Sequence, residues 1–289
     1  MRTLVLGATG FIGQSIAREL MEHGHKVVAL ARTKASEAKL ADEGVEVIRG
    51  NLRHPERWSG IVRKVDAIIH VAATFSDDMG DVDRHLVEVL IAEAERAQHR
   101  IRFIYTGGCW LYGVTGNKIA CEESDFDPLP SFEWMIDNSS EVFAAACFEA
   151  MLIHPAMVYD RNGGAISGML SSACESGRVE VWGSLMTRWP VVHRQDLARA
   201  YRVVLEKGEG GQSYCVSAEN GVTAGEMASV IARRCGLKHE PQVLTGAEVI
   251  VKYGECARGP MLDQQMSGEK IKDTLGWVPR YKNILSEIR

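Results

Sequence analysis

Thr3-Leu4-Val5-Leu6-Gly7-Ala8-Thr9-Gly10-Phe11-Ile12-Gly13 joins a short apolar run to three glycines at the spacing G-x-x-G-x-x-G. The run is strand-like, and an amphipathic stretch from Ile12 to His23 follows the glycines at once. In such a strand-to-helix turn the first glycine permits the tight bend and the second lets the backbone come close to a pyrophosphate. The third lets helix and strand pack closely, while free N–H groups and the helix dipole attract an anion. Gly7, Thr9, Gly10, Phe11, Ile12 and Gly13 are therefore candidate contacts to a dinucleotide. A glycine-rich turn without a ligand is the plainer alternative.

Outward from this turn the pattern repeats. Val27 to Ala31 and Val45 to Arg49 read as strands flanking a helix near Lys34 to Glu43. Ala67 to Val71 and Arg102 to Tyr105 flank a longer helix near Val82 to Gln98. A helix around Met135 to Ala146 and a strand at Met151 to His154 extend the series. Such alternation predicts an α/β fold, a doubly wound parallel sheet of the Rossmann type with helices on both faces. Beyond Asp160 the rhythm breaks into glycine-punctuated segments. The expected organisation is a dinucleotide-binding domain over 1–160 and a smaller C-terminal substrate lobe over 161–289, with 189–210, including a helix from Asp196, returning to the first domain.

Composition narrows the function classes. The chain has 289 residues, 46% hydrophobic and 25% charged, with a net charge of -5. An acidic balance of this size argues against nucleic acid or an anionic membrane as partner. No run of about 18 apolar residues occurs, so no membrane segment is expected. Seven cysteines, at 109, 121, 147, 174, 215, 235 and 256, lie scattered without a C-x-x-C pair. They are expected as reduced thiols in a cytoplasmic protein that binds no metal. A small molecule is the expected partner, with a homodimer an open possibility.

The choice of nucleotide is read at the end of the second strand. An NAD(H) site places an acidic residue there, about 20 positions after the glycines, to hold the ribose 2′-hydroxyl. Here the strand ends in Ala31-Arg32-Thr33-Lys34, with no carboxylate before Glu37. Arg32 and Lys34 can instead pair with a 2′-phosphate, so NADP(H) is expected over NAD(H). Asn51 and Leu52 after the third strand, and Val71, Ala72 and Ala73 after the fourth, lie at strand carboxyl ends, where open α/β sheets bind ligands. For Asn51 an ordinary turn role competes with an adenine contact.

Five stretches resemble the short-chain dehydrogenase/reductase superfamily, in particular its extended NAD-dependent epimerase/dehydratase branch: Gly7 to Gly13, His70 to Ala73, Phe103 to Gly113, Val192 to Ala198 and Leu275 to Pro279. The resemblance implies a Ser or Thr after the fifth strand and a Tyr-x-x-x-Lys pair on the next helix. Neither is intact. The chain reads Thr106-Gly107-Gly108 in the first place, and either Glu133 with Asp137 or Trp134 with Asn138 stands in the second. This is similar to the atypical branch, in which the nucleotide site remains and the catalytic pair is replaced. The resemblance also brings His154-Pro155-Ala156-Met157, and Pro155 in particular, toward the nicotinamide.

Thr106, Tyr112, Glu133 and Tyr159 are the candidate catalytic groups. Local packing of both tyrosine rings is the competing reading. Trp110 and Trp134 can wall a substrate pocket or belong to the core. His193 reads as structural, Asp196 as a helix cap, and the acidic stretch from Glu122 to Asp127 as a solvated loop. The expected function is an NADP(H)-dependent oxidoreductase acting on a small carbonyl or alcohol. The alternatives are a non-catalytic NADP(H) sensor or scaffold, and an epimerase or dehydratase that uses the nucleotide transiently.

Overall fold

A computed structural model describes residues 1–289. In chain order it holds β1 (Arg2–Leu6), α1 (Phe11–Glu22), β2 (Lys26–Ala31), α2 (Lys34–Asp42), β3 (Glu46–Arg49), β4 (Ala67–His70), α3 (Met79–Ala94), β5 (Ile101–Thr106), α4 (Trp134–Ala144) and β6 (Phe148–Pro155). There follow β7 (Met157–Asp160), β8 (Gly163–Gly164), α5 (Ser167–Ser176), β9 (Glu180–Trp182), β10 (Arg188–His193), α6 (Arg194–Lys207), β11 (Ser213–Val216) and β12 (Glu219–Thr223). The last elements are α7 (Ala224–Arg234), β13 (Gln242–Leu244), α8 (Gly246–Tyr253), α9 (Glu269–Leu275) and α10 (Ile284–Glu287).

The main sheet has seven strands in the order β11-β6-β5-β4-β1-β2-β3. The registers run parallel, for example Leu4 beside Val28 on one side and beside Ile68 on the other. Continuous apolar strands follow from this placement, because a parallel sheet covered on both faces needs no solvent-facing alternation. Strand order reverses at β1, which puts the carboxyl ends of β1 and β4 at the topological switch point.

The chain forms two compact units. The first comprises Met1–Gly107, Trp134–Ile153 and Leu197–Ser213. In its core α3 lays Leu86, Val87, Leu90 and Ala94 in one cluster with Ile68, Phe103 and Phe148. Each such large side chain contributes roughly 1.5–3 kcal/mol by burial. Between β3 and β4, where other links of the sheet carry an α-helix, two short 3-10 segments run over Pro55–Arg57 and Ser59–Lys64. Trp58 between them is buried, and its Nε1 donates to the Asn51 carbonyl at 2.9 Å.

The second unit comprises Gly108–Glu133, His154–Asp196 and Tyr214–Arg289. It contains a four-stranded sheet in the order β12-β10-β7-β8 and a two-stranded parallel pair of β9 and β13. The chain thus first leaves the dinucleotide-type unit after Gly107, not at residue 160, and the returning stretch is 197–213 rather than 189–210. The reason lies in β10, which pairs with β7 and β12 of the second unit. Its helix α6 begins at Arg194, two residues ahead of the expected start.

Asp196, on the first turn of α6, is fully buried, and its carboxylate accepts the backbone N–H groups of Arg280 and Tyr281 at 2.8–2.9 Å. The Trp277 indole N–H donates to the Asp196 carbonyl at 2.9 Å. The Gly-Trp-Val-Pro segment is held in the second unit by these bonds.

Candidate functional site

The glycine turn in the first unit is built for close approach. Gly7 has φ +95°, and a β-carbon there would meet the Val71 carbonyl oxygen at 2.9 Å and the Ala72 nitrogen at 3.0 Å. The structure therefore brings the Gly7–Gly13 turn and the Val71–Ala72 segment into contact across the switch point. At Gly13 a β-carbon would stand 2.1 Å from the Gly7 carbonyl oxygen, so only glycine lets α1 start this close to β1. The N-cap of α1 is Gly10, so no cap side chain occupies the N-terminus of the helix, the end whose dipole favours an anion. A tight glycine turn that leads into a helix N-terminus without a cap side chain suits a pyrophosphate. Gly7, Thr9, Gly10, Phe11, Ile12 and Gly13 are the residues that would hold it.

Arg32 and Lys34 follow β2 and are exposed, and neither makes an ion pair. Thr33 between them caps α2, its Oγ1 accepting the Ser36 N–H at 3.1 Å. Asn51 and Leu52 are half-buried after β3. The Asn51 side-chain oxygen accepts the Arg53 N–H at 3.1 Å, the geometry of an Asx turn. Ala73 is half-buried beyond β4, and Pro155 closes β6.

A polar network lies behind this edge of the sheet. Asp83 of α3 accepts the His70 Nε2–H at 2.6 Å, the Tyr105 hydroxyl at 2.6 Å and the Asn138 amide at 2.8 Å. Burial alone would raise the Asp83 carboxyl, but the adjacent His70 and the three hydrogen bonds outweigh it and hold it below the usual range. Burial, followed by the Asp83 charge, pushes the Tyr105 phenol up. His70 Nδ1 in turn lies 3.4 Å from the Ala72 N–H, so the network reaches the backbone that borders Gly7. Sequence reasoning missed it. The one available signal was a carboxylate at 83 in line with Leu86, Val87, Leu90 and Ala94 on the buried stripe of α3.

The substituted catalytic positions separate clearly by environment. Glu133 and Asp137 are exposed, and their carboxylates form no hydrogen bond. Asn138 is fully buried on Asp83, and Trp134 lies against Gly80, where an added β-carbon would be 2.8 Å from its ring. Thr106 Oγ1 is 2.6 Å from the hydroxyl of Tyr201, a fully buried residue of α6 whose phenol burial pushes up.

In the second unit Tyr112 is buried with its hydroxyl 3.2 Å from the Cys215 sulfur, and burial raises both groups. Tyr159 is fully enclosed, edge-on to His193 at 5.4 Å, with no hydrogen-bond partner for its hydroxyl. Within the acidic stretch Glu122 is half-buried, not fully solvated, and accepts the Cys215 N–H at 2.6 Å. Burial raises its carboxyl despite that bond.

His154 lies 1% exposed against Tyr112, ring centroids 5.3 Å apart. Burial, opposed by a hydrogen bond to the Gly108 backbone, holds its ring down at about 4. An unfolded chain takes up this proton near 6.5, the folded chain only near 4, so stability falls as pH drops through that interval. The expected loss between pH 7 and pH 4 is roughly 3 kcal/mol from this residue. Urea unfolding of the protein and of His154→Gln at both pH values checks it: the variant should show a dependence shallower by that amount, and identical dependences would refute it.

A Rossmann-type sheet in the order β3-β2-β1-β4-β5-β6, with a glycine cradle at its switch point, defines a class of dinucleotide-dependent proteins. The model of the NAD dependent epimerase/dehydratase family matches residues 3–217, and the chain belongs to that family. An uncharacterised protein of Schizosaccharomyces pombe is 28% identical, over 100% of this chain and 98% of its own length. UDP-glucose 4-epimerase of Thermotoga maritima shares the fold with TM-score 0.84 at 17% identity, covering 100% of this chain and 96% of that one. So does dTDP-glucose 4,6-dehydratase of Bacillus anthracis in complex with NAD, with TM-score 0.84 at 20% identity, covering 100% and 95%. Unlike the pattern expected from the resemblance, no Tyr-x-x-x-Lys occurs anywhere in this chain. No helix is long and apolar enough to cross a membrane.

Proposed function

We propose that the chain binds NADP(H) and uses it to interconvert a small carbonyl compound and its alcohol. One observation carries the nucleotide choice. Arg32 stands exposed and unpaired at the end of β2, Lys34 follows it in the same state, and no carboxylate precedes Glu37. Two free cations at this position favour a 2′-phosphate over a bare ribose hydroxyl. The NAD-bound Bacillus anthracis structure weighs on the other side, and the test therefore compares both nucleotides.

When bound, the nicotinamide supplies or accepts the hydride. The chain's part is to bind, orient and handle a proton. Backbone N–H groups from Gly7 to Gly13 hold the pyrophosphate, Val71, Ala72 and Ala73 border it, and Asn51 and Leu52 complete the lining. Thr106, Tyr112, Glu133 and Tyr159 are the groups to test as proton donors. Glu133 alone among them is exposed, whereas the hydroxyls of Thr106 and Tyr112 are engaged by Tyr201 and Cys215.

Arg32→Ala is expected to weaken NADPH by about 10-fold or more, the value of one to two charge-assisted hydrogen bonds, and NADH by less than about 2-fold. Calorimetric titration of both nucleotides measures this, and equal losses would overturn the assignment. Transient use of the nucleotide in an epimerisation or dehydration is a second reading, favoured by the family description. It is distinguished by substrate conversion without net NADPH consumption.

A further inference from the structure

We propose that the second unit carries a preformed site for an uncharged, flat ring system, and that this ring, not a phosphate-bearing group, is what the lobe recognises in its substrate. The proposal deepens the reading of this unit as the substrate lobe, and its test is independent of nucleotide choice.

A cavity of about 260 Å³ lies within the unit, walled by the indoles of Trp110, Trp182 and Trp189 and the thioethers of Met157 and Met169. Indole faces and polarisable sulfur are the side-chain surfaces that best hold a flat ring. The indoles are braced by neighbours. Trp182 packs on the Tyr253 ring at 4.6 Å, and the Trp189 N–H donates to the Pro260 carbonyl at 2.8 Å. Trp110 lies 5.1 Å from the Phe132 ring and close against Gly259. Rings held this way lose little freedom when a ligand enters, which favours binding. The volume lies just below the roughly 300–1,000 Å³ of sites for drug-sized ligands and suits one or two fused rings.

The electrostatics exclude an anion. The one charged residue in the wall is Glu180, 8% exposed, with one oxygen on Lys252 Nζ at 2.8 Å and the other on the Tyr253 hydroxyl at 2.7 Å. Its charge is paired, and no cation lines the cavity. A phosphate entering here would lose its water and gain no partner. Entry is open, because Gly168 on the first turn of α5 is exposed at the cavity wall.

Calorimetric titration of the full chain, with and without saturating NADP, with 2-acetylnaphthalene and separately with thymidine diphosphate tests the proposal. The expected result is saturable binding of 2-acetylnaphthalene at micromolar concentration, weakened at least 10-fold in Gly168→Leu. A β-carbon at Gly168 meets only the Trp182 ring edge at 3.6 Å, and leucine is the better helix former, so the variant keeps its fold. NADPH affinity within 2-fold of the unaltered protein verifies that. Ala165→Ile fills the same cavity from β8's end of the wall and should act alike. No saturable binding of 2-acetylnaphthalene, unchanged affinity in both filled variants, or its displacement by thymidine diphosphate would each overturn the proposal. A failure of Arg32→Ala to discriminate the nucleotides would leave this measurement untouched.

Discussion

Gly13→Ala is expected to raise the Kd for NADPH at least 100-fold and to lower stability by about 3 kcal/mol, at the upper end of the usual cost of overpacking. The added carbon would sit 2.1 Å from the Gly7 oxygen and 2.6 Å from its carbonyl carbon. Both are backbone atoms, so no rotamer change relieves the contact. The start of α1 must move away from β1, and the N–H groups that converge on the pyrophosphate move with it. Gly10→Ala is the matched control. Its β-carbon lies 3.2 Å from the same oxygen and its φ is -80°, so a cost under about 1 kcal/mol is expected. Thermal unfolding and NADPH titration of the two variants test this pair. Wild-type affinity in Gly13→Ala would sink it.

Asp83→Ala should cost about 3–5 kcal/mol, the range found when one member of a buried charged cluster is removed. Three donors, from His70, Tyr105 and Asn138, would be left in the core without their acceptor. Because the folded carboxyl lies below its ordinary value, its stabilisation is present above the unfolded value near 3.9 and fades as pH falls through the folded one. The unaltered protein should therefore lose stability below about pH 4, and the variant should lack that part of the loss. Urea unfolding at pH 7 and pH 3.5 measures both. A variant within about 1 kcal/mol of the original would show that the network carries little. The cluster also touches Ala72 through His70, so NADPH binding to Asp83→Ala should weaken as well.

The two sites differ in how far the sequence disclosed them. The strands of the first unit were readable because burial on both faces writes itself as unbroken apolar runs, and the glycines mark the one turn where backbone meets backbone. Element ends were read within a few residues: α3 starts at Met79 rather than Val82, and α6 at Arg194 rather than Asp196. The Asp83 cluster was hidden, since His70, Tyr105 and Asn138 meet it only through strand pairing and helix packing. Tyr201 beside Thr106 was missed for the same reason, 95 residues away in the chain.

The second unit was the least legible. Its α5 carries weak periodicity, its strands β8, β9 and β13 are only two or three residues long, and the cavity wall is gathered from separate segments of 108–260. Trp110, expected either in a pocket or in the core, lines the cavity. Trp134, read the same way, packs instead on Gly80 of the first unit. Residue type foretold both as large apolar surfaces, but only their neighbours decide which one a ligand can meet.

The bonds that fasten residues 277–281 to Asp196 set an order of events during synthesis. The first unit has all its segments once residue 213 has been made, whereas the second still lacks the amides that its buried carboxylate requires. Until Arg280 and Tyr281 have been made, the Asp196 carboxylate lacks these two amides, and the half-built unit has reason to stay open. Closure of the second unit is thereby tied to the arrival of residues 280 and 281.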